Sequence, residues 1–255
     1  MRGWWQEISG LVLPAACGGC GAPRTPLCDE CARELYGSAA RRARPDPEPP
    51  GLPEVYATAL YGDAVRAVLI AHKERGALGL ARPLGRALAV AVRAAAAPCA
   101  VSVARRSAGV RATGAPWAGE APLLLVPVPS SRRAVRARGH DAGRRVALAA
   151  ARELRRTGTR ASALPVLRQR REIADQSGLT ARERVENLSG ALEAVAGAGR
   201  LLEGGRAVLV DDLMTTGASL AEAARALRDV SLPGRTPATA AVVATAPQIA
   251  EINRN

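Results

Sequence analysis

Residues 207–220 read AVLVDDLMTTGASL, and this stretch decides the fold. Residues 207–210 are apolar and partly β-branched, which is typical of a buried strand. Residues 219–228 combine helix-forming residues with the apolar spacing of a helix. The stretch therefore predicts a strand, a polar turn and the start of a helix in immediate succession.

The polar turn has the residue types of a phosphate-binding site. It presents small side chains, hydroxyl groups and backbone N–H groups from Thr215, Thr216, Gly217, Ala218 and Ser219. Unpaired amides and the positive end of a helix dipole attract phosphate, and glycine permits backbone angles that other residues disfavour. Asp211 and Asp212 precede the turn, where the hydroxyls of an attached sugar would lie. Two aspartates capping an ordinary helix start are the alternative, but the combined pattern favours a ribose-phosphate site.

The rest of the chain alternates between strand and helix patterns. Strands are predicted at 55–61, 123–129, 163–167, 207–210 and 238–244, and helices at 63–73, 78–97, 141–156 and 219–228. This alternation predicts an α/β fold with a mostly parallel sheet flanked by helices. Ligands of such sheets bind at the carboxyl ends of the strands, which is where Asp211 falls.

A second anion-binding element is predicted where the strand at 123–129 ends. The loop comprises Pro127, Val128, Pro129, Ser130, Ser131, Arg132 and Arg133. Its planar guanidinium groups match phosphate oxygens, and its prolines keep the backbone extended, so the loop suits pyrophosphate. A solvated basic loop is the alternative. Asp141 then caps the next helix, and His140 is expected to pack or to contact phosphate rather than to act as a general base.

Four of the five cysteines form two C-x-x-C pairs near the amino terminus: Cys17, Cys20, Cys28 and Cys31. Such spacing lets four thiolates converge on one tetrahedral zinc ion, with no open position for catalysis. Two disulfides are the alternative, which a reducing cytosol disfavours. The pattern thus predicts a structural zinc module, whereas Cys99 is expected to be a small buried residue or an exposed bystander and not a nucleophile.

Composition limits the possible partners. The net charge of +13, from 36 basic and 23 acidic residues, attracts nucleic acid, polyphosphates or acidic proteins. Aromatic residues make up only 2%, so stacking platforms for single-stranded nucleic acid are scarce. No apolar run is long enough to span a bilayer, and Gln6 and Glu7 interrupt the apolar region that a signal peptide needs. We therefore expect a cytoplasmic protein without a membrane span.

Composition shifts divide the chain into segments. The cysteine module is expected at 1–36, a Pro- and Arg-rich linker at 37–54, the α/β domain at 55–247 and a tail at 248–255. Within the α/β domain, residues 102–122 lack periodicity and are expected to form a flexible insertion.

The stretch 207–220 resembles the phosphoribosyl-diphosphate (PRPP) signature of type I phosphoribosyltransferases. In that family the acidic pair holds the ribose 2′- and 3′-hydroxyls, and the TTG turn holds the 5′-phosphate. The resemblance therefore assigns the ribose, and a catalytic role, to Asp211 and Asp212, and the phosphate to residues 215–219. Residues 167–192 are similar to the mobile hood over that family's active site, with Arg168, Arg170 and Gln176 as the candidate hood residues.

Together with the four cysteines and the run VPVPSSRRAVRARGHDAG, these motifs are similar to the ComF-like phosphoribosyltransferases, a family associated with bacterial competence and DNA uptake. The resemblance implies a type I phosphoribosyltransferase fold and transfer of phosphoribosyl from PRPP to a nucleobase-like acceptor. Pyrophosphate is released, and Mg²⁺ accompanies PRPP. The alternative is a non-catalytic PRPP or nucleotide sensor, or a competence adaptor that handles single-stranded DNA beside a helicase.

Overall fold

A computed structural model describes residues 16–97, 121–171, 180–230 and 239–247. The strands are β1 (Arg41–Ala43), β2 (Glu54–Leu60), β3 (Leu123–Pro127), β4 (Ala161–Ala163), β5 (Leu167–Gln169), β6 (Leu192–Ala194), β7 (Arg206–Met214) and β8 (Thr239–Thr245). The helices are α1 (Asp29–Tyr36), α2 (Asp63–Glu74), α3 (Ala81–Ala96), α4 (Arg132–Arg138), α5 (Ala142–Arg156), α6 (Ala181–Leu188), α7 (Ala198–Leu202) and α8 (Ala218–Arg228), with a 3₁₀ turn at Leu78–Leu80 before α3.

Six strands form one sheet in the order β1-β2-β8-β7-β3-β4. Strands β2, β8, β7, β3 and β4 run parallel, whereas β1 pairs antiparallel with β2 at one edge. A separate antiparallel pair consists of β5 and β6. The predicted α/β class with a mostly parallel sheet flanked by helices is confirmed.

Hydrophobic cores lie on both faces of the sheet. Along β7, Val208 and Val210 enter the core shared with α2, α3 and α5, while Leu209 enters the core shared with α7 and α8. This alternation follows from the two-residue repeat of a strand, and it explains why the buried run is apolar at every position. Helices α3 and α5 approach closely at Gly85, where a Cβ atom would lie 2.5 Å from the Cβ of Ala149.

The predicted linker at 37–54 contains ordered structure. Strand β1 pairs with β2, and Arg42 forms an ion pair of 3.1 Å with Glu54. Pro45 is buried, and Leu52 lies against the turn at Gly217. The segment therefore covers one end of the sheet, since its prolines and short apolar residues pack although they lack a strand or helix repeat.

The strand predicted at 163–167 is divided between two sheets. Strand β4 ends at Ala163 and pairs with β3, whereas β5 begins at Leu167 and pairs with β6. Pro165 lies between them, and proline cannot donate a hydrogen bond to a sheet. Gln176, Cys99, most of the insertion at 102–122 and the tail at 248–255 lie outside the described residues. Across the described part of the chain, no helix has the length and apolarity needed to cross a membrane.

Candidate functional site

The acidic pair and the predicted pyrophosphate loop meet at the carboxyl edge of the sheet. Strands β3 and β7 are paired so that Pro127 lies opposite Val210. The N–H of Val128 donates to the carbonyl of Val210 at 2.9 Å, immediately before Asp211. The structure thus brings together two motifs that lie far apart in the sequence, at residues 127–133 and 211–212.

The turn after β7 contains a backbone angle that favours glycine, as the sequence predicts for Gly217. Gly217 adopts a φ of 76°, in the left-handed region, and occupies the N-cap position of α8 without a side-chain cap. This angle favours glycine, and a Cβ atom at this position would also lie only 3.0 Å from the side chain of Leu52. The first amides of α8 lack partners within the helix, as in any helix, and are oriented toward the turn.

The two aspartates form a compact charged cluster. The N–H of Asp212 donates to Oδ1 of Asp211 at 2.8 Å, and Oδ2 of Asp212 accepts an ion pair of 2.9 Å from Nζ of Lys73. Burial raises the pKa of Asp211 to about 8, and the adjacent charge of Asp212 acts in the same direction. The cluster can accept hydrogen bonds from hydroxyl groups, and Asp211 can also hold a proton near neutral pH.

Sequence reasoning missed Lys73, which lies near the end of α2. Burial alone would lower the pKa of Lys73, but the charges of Asp212 and Asp211 outweigh burial and raise it. Its contact with Asp212 joins residues 139 positions apart, so no local pattern reveals it. One signal was present, however, because Lys73 is the only lysine in a chain with 36 basic residues.

The end of α2 is fixed to the turn before α5. The ring of His140 lies 3.3 Å from the carbonyl oxygen of His72, and Arg138 forms an ion pair of 2.9 Å with Glu74. His72 is buried, and burial lowers its pKa, so its imidazole is neutral at physiological pH. These contacts hold the backbone on both sides of Lys73.

The loop at 127–133 is partly ordered by its own hydroxyl groups. Ser131 caps α4 by accepting from the N–H of Ala134 at 3.1 Å, while the hydroxyl of Ser130 donates to Oδ1 of Asp141 at 3.3 Å. Asp141 is the N-cap of α5, as the sequence predicts. Arg132 and Arg133 are exposed at the start of α4, so the loop offers guanidinium groups to solvent at the sheet edge.

The described hood residues are tied to the helix that follows the turn. Arg168 forms an ion pair of 2.9 Å with Glu193 across β5 and β6. The buried carboxylate of Glu222 accepts from the N–H of Leu192 at 3.0 Å, and Arg225 donates to the carbonyl of Leu192 at 2.8 Å. The amide of Arg170 donates to Ala191 at 2.9 Å, which continues the antiparallel pairing. Strand β6 is therefore anchored to α8.

The four cysteines of the amino-terminal module converge as predicted. The sulfur atoms of Cys17, Cys20, Cys28 and Cys31 all lie within 4.8 Å of one another, so the cluster can hold a metal ion. The N–H of Cys28 also donates to the sulfur of Cys17 at 3.3 Å.

The protonation of these thiols depends on their surroundings. Burial opposes ionisation of Cys17, but hydrogen bonds from backbone amides lower its pKa to about 6. Burial and the neighbouring thiols raise the pKa of Cys31. A bound cation would offset the repulsion between neighbouring thiolates and favour ionisation of all four thiols.

Comparison of the chain with protein-family models and with curated proteins gave no match. The chemistry of two sites therefore indicates what the chain can bind. The cysteine cluster has the donor set of a metal centre, and the sheet edge combines carboxylate acceptors with backbone and guanidinium donors.

Proposed function

We propose that the chain binds PRPP and transfers its phosphoribosyl group to a nucleobase-like acceptor. One observation carries the proposal: the Asp211–Asp212 pair follows Val210, which lies opposite Pro127 at the start of the loop, and precedes the Gly217 turn on the same strand end. This arrangement offers acceptors for sugar hydroxyls beside two separate groups of donors for phosphates. A type I phosphoribosyltransferase fold is part of the proposal, and the parallel sheet supports it.

Each element has a distinct role in the proposed reaction. Asp211 and Asp212 accept hydrogen bonds from the ribose hydroxyls, and residues 215–219 bind the 5′-phosphate. Residues 127–133 bind the pyrophosphate, which leaves as the acceptor nitrogen bonds to the anomeric carbon. The carboxylates offset the positive charge that develops on the sugar ring, and the arginines of the loop stabilise the leaving group. Mg²⁺, when bound with PRPP, neutralises pyrophosphate charge.

The cysteine cluster is proposed to hold zinc in a structural role. Four sulfurs at about 2.3 Å from a tetrahedral zinc lie about 3.8 Å from one another. The distance of 3.6 Å between the sulfurs of Cys20 and Cys28 is close to that value. Four protein thiolates leave no coordination position for water, so the ion stabilises the module instead of acting in catalysis.

Calorimetry with PRPP tests the proposed site. The wild type is expected to bind PRPP in the presence of Mg²⁺, and the double variant Asp211→Asn/Asp212→Asn is expected to lose that binding. The matched control is Asp29→Asn/Glu30→Gln, which changes an exposed, adjacent acidic pair on α1 and should leave the affinity unchanged. Wild-type protein that fails to bind PRPP, or equal affinity in the double variant, contradicts the assignment. Release of pyrophosphate with a panel of nucleobases then tests transfer.

The net charge favours one second candidate, a module that binds single-stranded DNA without catalysis. Such binding depends on phosphate contacts and weakens steeply as salt rises. It predicts retention on single-stranded DNA at moderate salt, equally in the wild type and in the Asp211→Asn/Asp212→Asn variant. A transferase without this role is expected to bind DNA weakly and to be displaced by PRPP. Measuring retention across a salt series separates the two functions.

A further inference from the structure

Lys73 is the one basic side chain that forms a described ion pair with the acidic pair. Its Nζ atom lies 2.9 Å from Oδ2 of Asp212, and the carboxylate of Asp212 is only 12% exposed. The lysine side chain is 38% exposed and reaches from the last turn of α2 to the carboxyl end of β7. Water and salt screen such a partly buried ion pair less than they screen an exposed surface pair.

The position of Lys73 is fixed from both sides. The preceding residue, His72, is buried, and its carbonyl oxygen lies 3.3 Å from the ring of His140. The following residue, Glu74, pairs with Arg138 of α4. The backbone of α2 is therefore held in place where the lysine leaves it, and the flexible stem delivers a compact ammonium group to Asp212.

Two adjacent carboxylates at a partly buried strand end are difficult to ionise together. Each charge raises the cost of the other, and burial adds to that cost. A positive charge from a neighbouring element offsets both effects. Ionised carboxylates accept stronger hydrogen bonds from ribose hydroxyls than protonated carboxyl groups do, so ionisation of the pair strengthens sugar binding.

Resting on the proposed function, we propose that Lys73 is a positioning residue that holds Asp212 in place and favours the ionised form of the acidic pair for ribose binding. Lys73 thereby prepares the acidic pair to bind ribose without itself contacting the sugar phosphate. The charge of Lys73 lowers the pKa of Asp211, in opposition to burial and Asp212.

Charged and titratable groups face Lys73 from β7 and from the segment around α4. Asp211 and Asp212 face it from β7, and the positive charge of Arg138 on α4 opposes that of Lys73 while pairing with Glu74. His140, in the turn before α5, contacts the backbone of α2 and also lies near the buried ring of His72. Between pH 7.5 and 9.5 we expect the carboxyl group of Asp211 to dominate the change in charge at the pair, because its pKa is raised to about 8.

The test is the pH dependence of PRPP affinity in three variants, measured by calorimetry with Mg²⁺ from pH 7.5 to 9.5. The phosphate groups of PRPP are fully ionised there, since their second pKa is about 6. Lys73→Met keeps the aliphatic stem and removes the charge, Lys73→Arg keeps the charge, and Arg66→Met removes an exposed charge from the same helix. Thermal melting of each variant verifies that it is folded.

A rise of one unit in the pKa of Asp211 should weaken PRPP binding by Lys73→Met by up to about eightfold at pH 7.5 and by less than about twofold at pH 9.5. Lys73→Arg should restore most of the affinity, and Arg66→Met should match the wild type. A loss of the same size at every pH overturns the inference. So does an equal loss of affinity for inorganic pyrophosphate, because that result makes Lys73 a direct ligand contact.

A second measurement separates this inference from the proposed function. The ¹³C carboxyl resonance of Asp211 is titrated without ligand in the wild type and in Lys73→Met. An upward shift of the midpoint in the variant supports the role of Lys73 even where wild-type protein fails to bind PRPP. An unchanged midpoint overturns that role even where PRPP binds tightly.

Discussion

Replacing Asp211 by asparagine should stabilise the folded protein while removing its proposed function. Burial, reinforced by Asp212, raises the pKa of Asp211 to about 8. In an unfolded chain an aspartate has a pKa of about 3.9. Between these values the folded state holds a proton that the unfolded state has released. The free energy of unfolding of the wild type therefore falls as the pH rises from about 4 to 8.

The size of the effect follows from the same pKa difference. Each pH unit within this window costs the wild type at most about 1.4 kcal/mol. Partial exposure of the strand end reduces that value. We therefore expect the free energy of unfolding of Asp211→Asn, relative to that of the wild type, to rise by about 1–2 kcal/mol between pH 5 and pH 7. The asparagine side-chain oxygen can still accept the 2.8 Å hydrogen bond from the N–H of Asp212, so the variant removes the ionisable group and little else.

Urea unfolding at pH 5, 6, 7, 8 and 9 measures this difference. The gain of Asp211→Asn over the wild type should grow up to about pH 8 and then level off, while PRPP binding is lost throughout. Asp63→Asn, which replaces an exposed carboxyl group at the start of α2, is the control variant in the same series. A gain that is independent of pH, or a growing destabilisation, refutes the reasoning.

Two further variants test the metal cluster and the turn. Cys20→Ser, or treatment with a strong chelator, should release one metal ion per chain and unfold the cysteine module, whereas Cys99→Ser should keep the metal. Elemental analysis measures the metal content, and thermal melting measures the unfolding. Full metal content in Cys20→Ser would contradict a four-thiolate site. Gly217→Ala should destabilise the fold by about 1–2 kcal/mol, because its φ of 76° strains a residue with a Cβ atom, and should weaken PRPP binding. Gly79→Ala, where a Cβ atom meets nothing within 4 Å, is its control, and equal unfolding midpoints for the two would refute the strain argument.

Local patterns predicted the strand, turn and helix around Asp211, because each of those elements depends on residues close in sequence. The same holds for the cysteine cluster, whose two pairs are adjacent in the chain. Strand β1 has three residues, too few for a two-residue repeat to be recognised, so its segment resembled a linker. Lys73 was missed for a different reason: the helical repeat of α2 places it, but only the pairing of distant elements brings it to Asp212.

The separation of donors and acceptors at the sheet edge narrows the class of ligand that the site favours. Carboxylate acceptors are on β7, the amides of α8 follow at Gly217, and the loop that begins after Pro127 leads to the exposed Arg132 and Arg133. A free polyphosphate would place anions against Asp211 and Asp212, and an unphosphorylated nucleoside would leave the donors without partners. A sugar with phosphate groups at both ends satisfies both sets, with its hydroxyls on the carboxylates. The charge of Lys73 is compatible with this arrangement because it pairs with Asp212 and leaves the flanking donors for the phosphates.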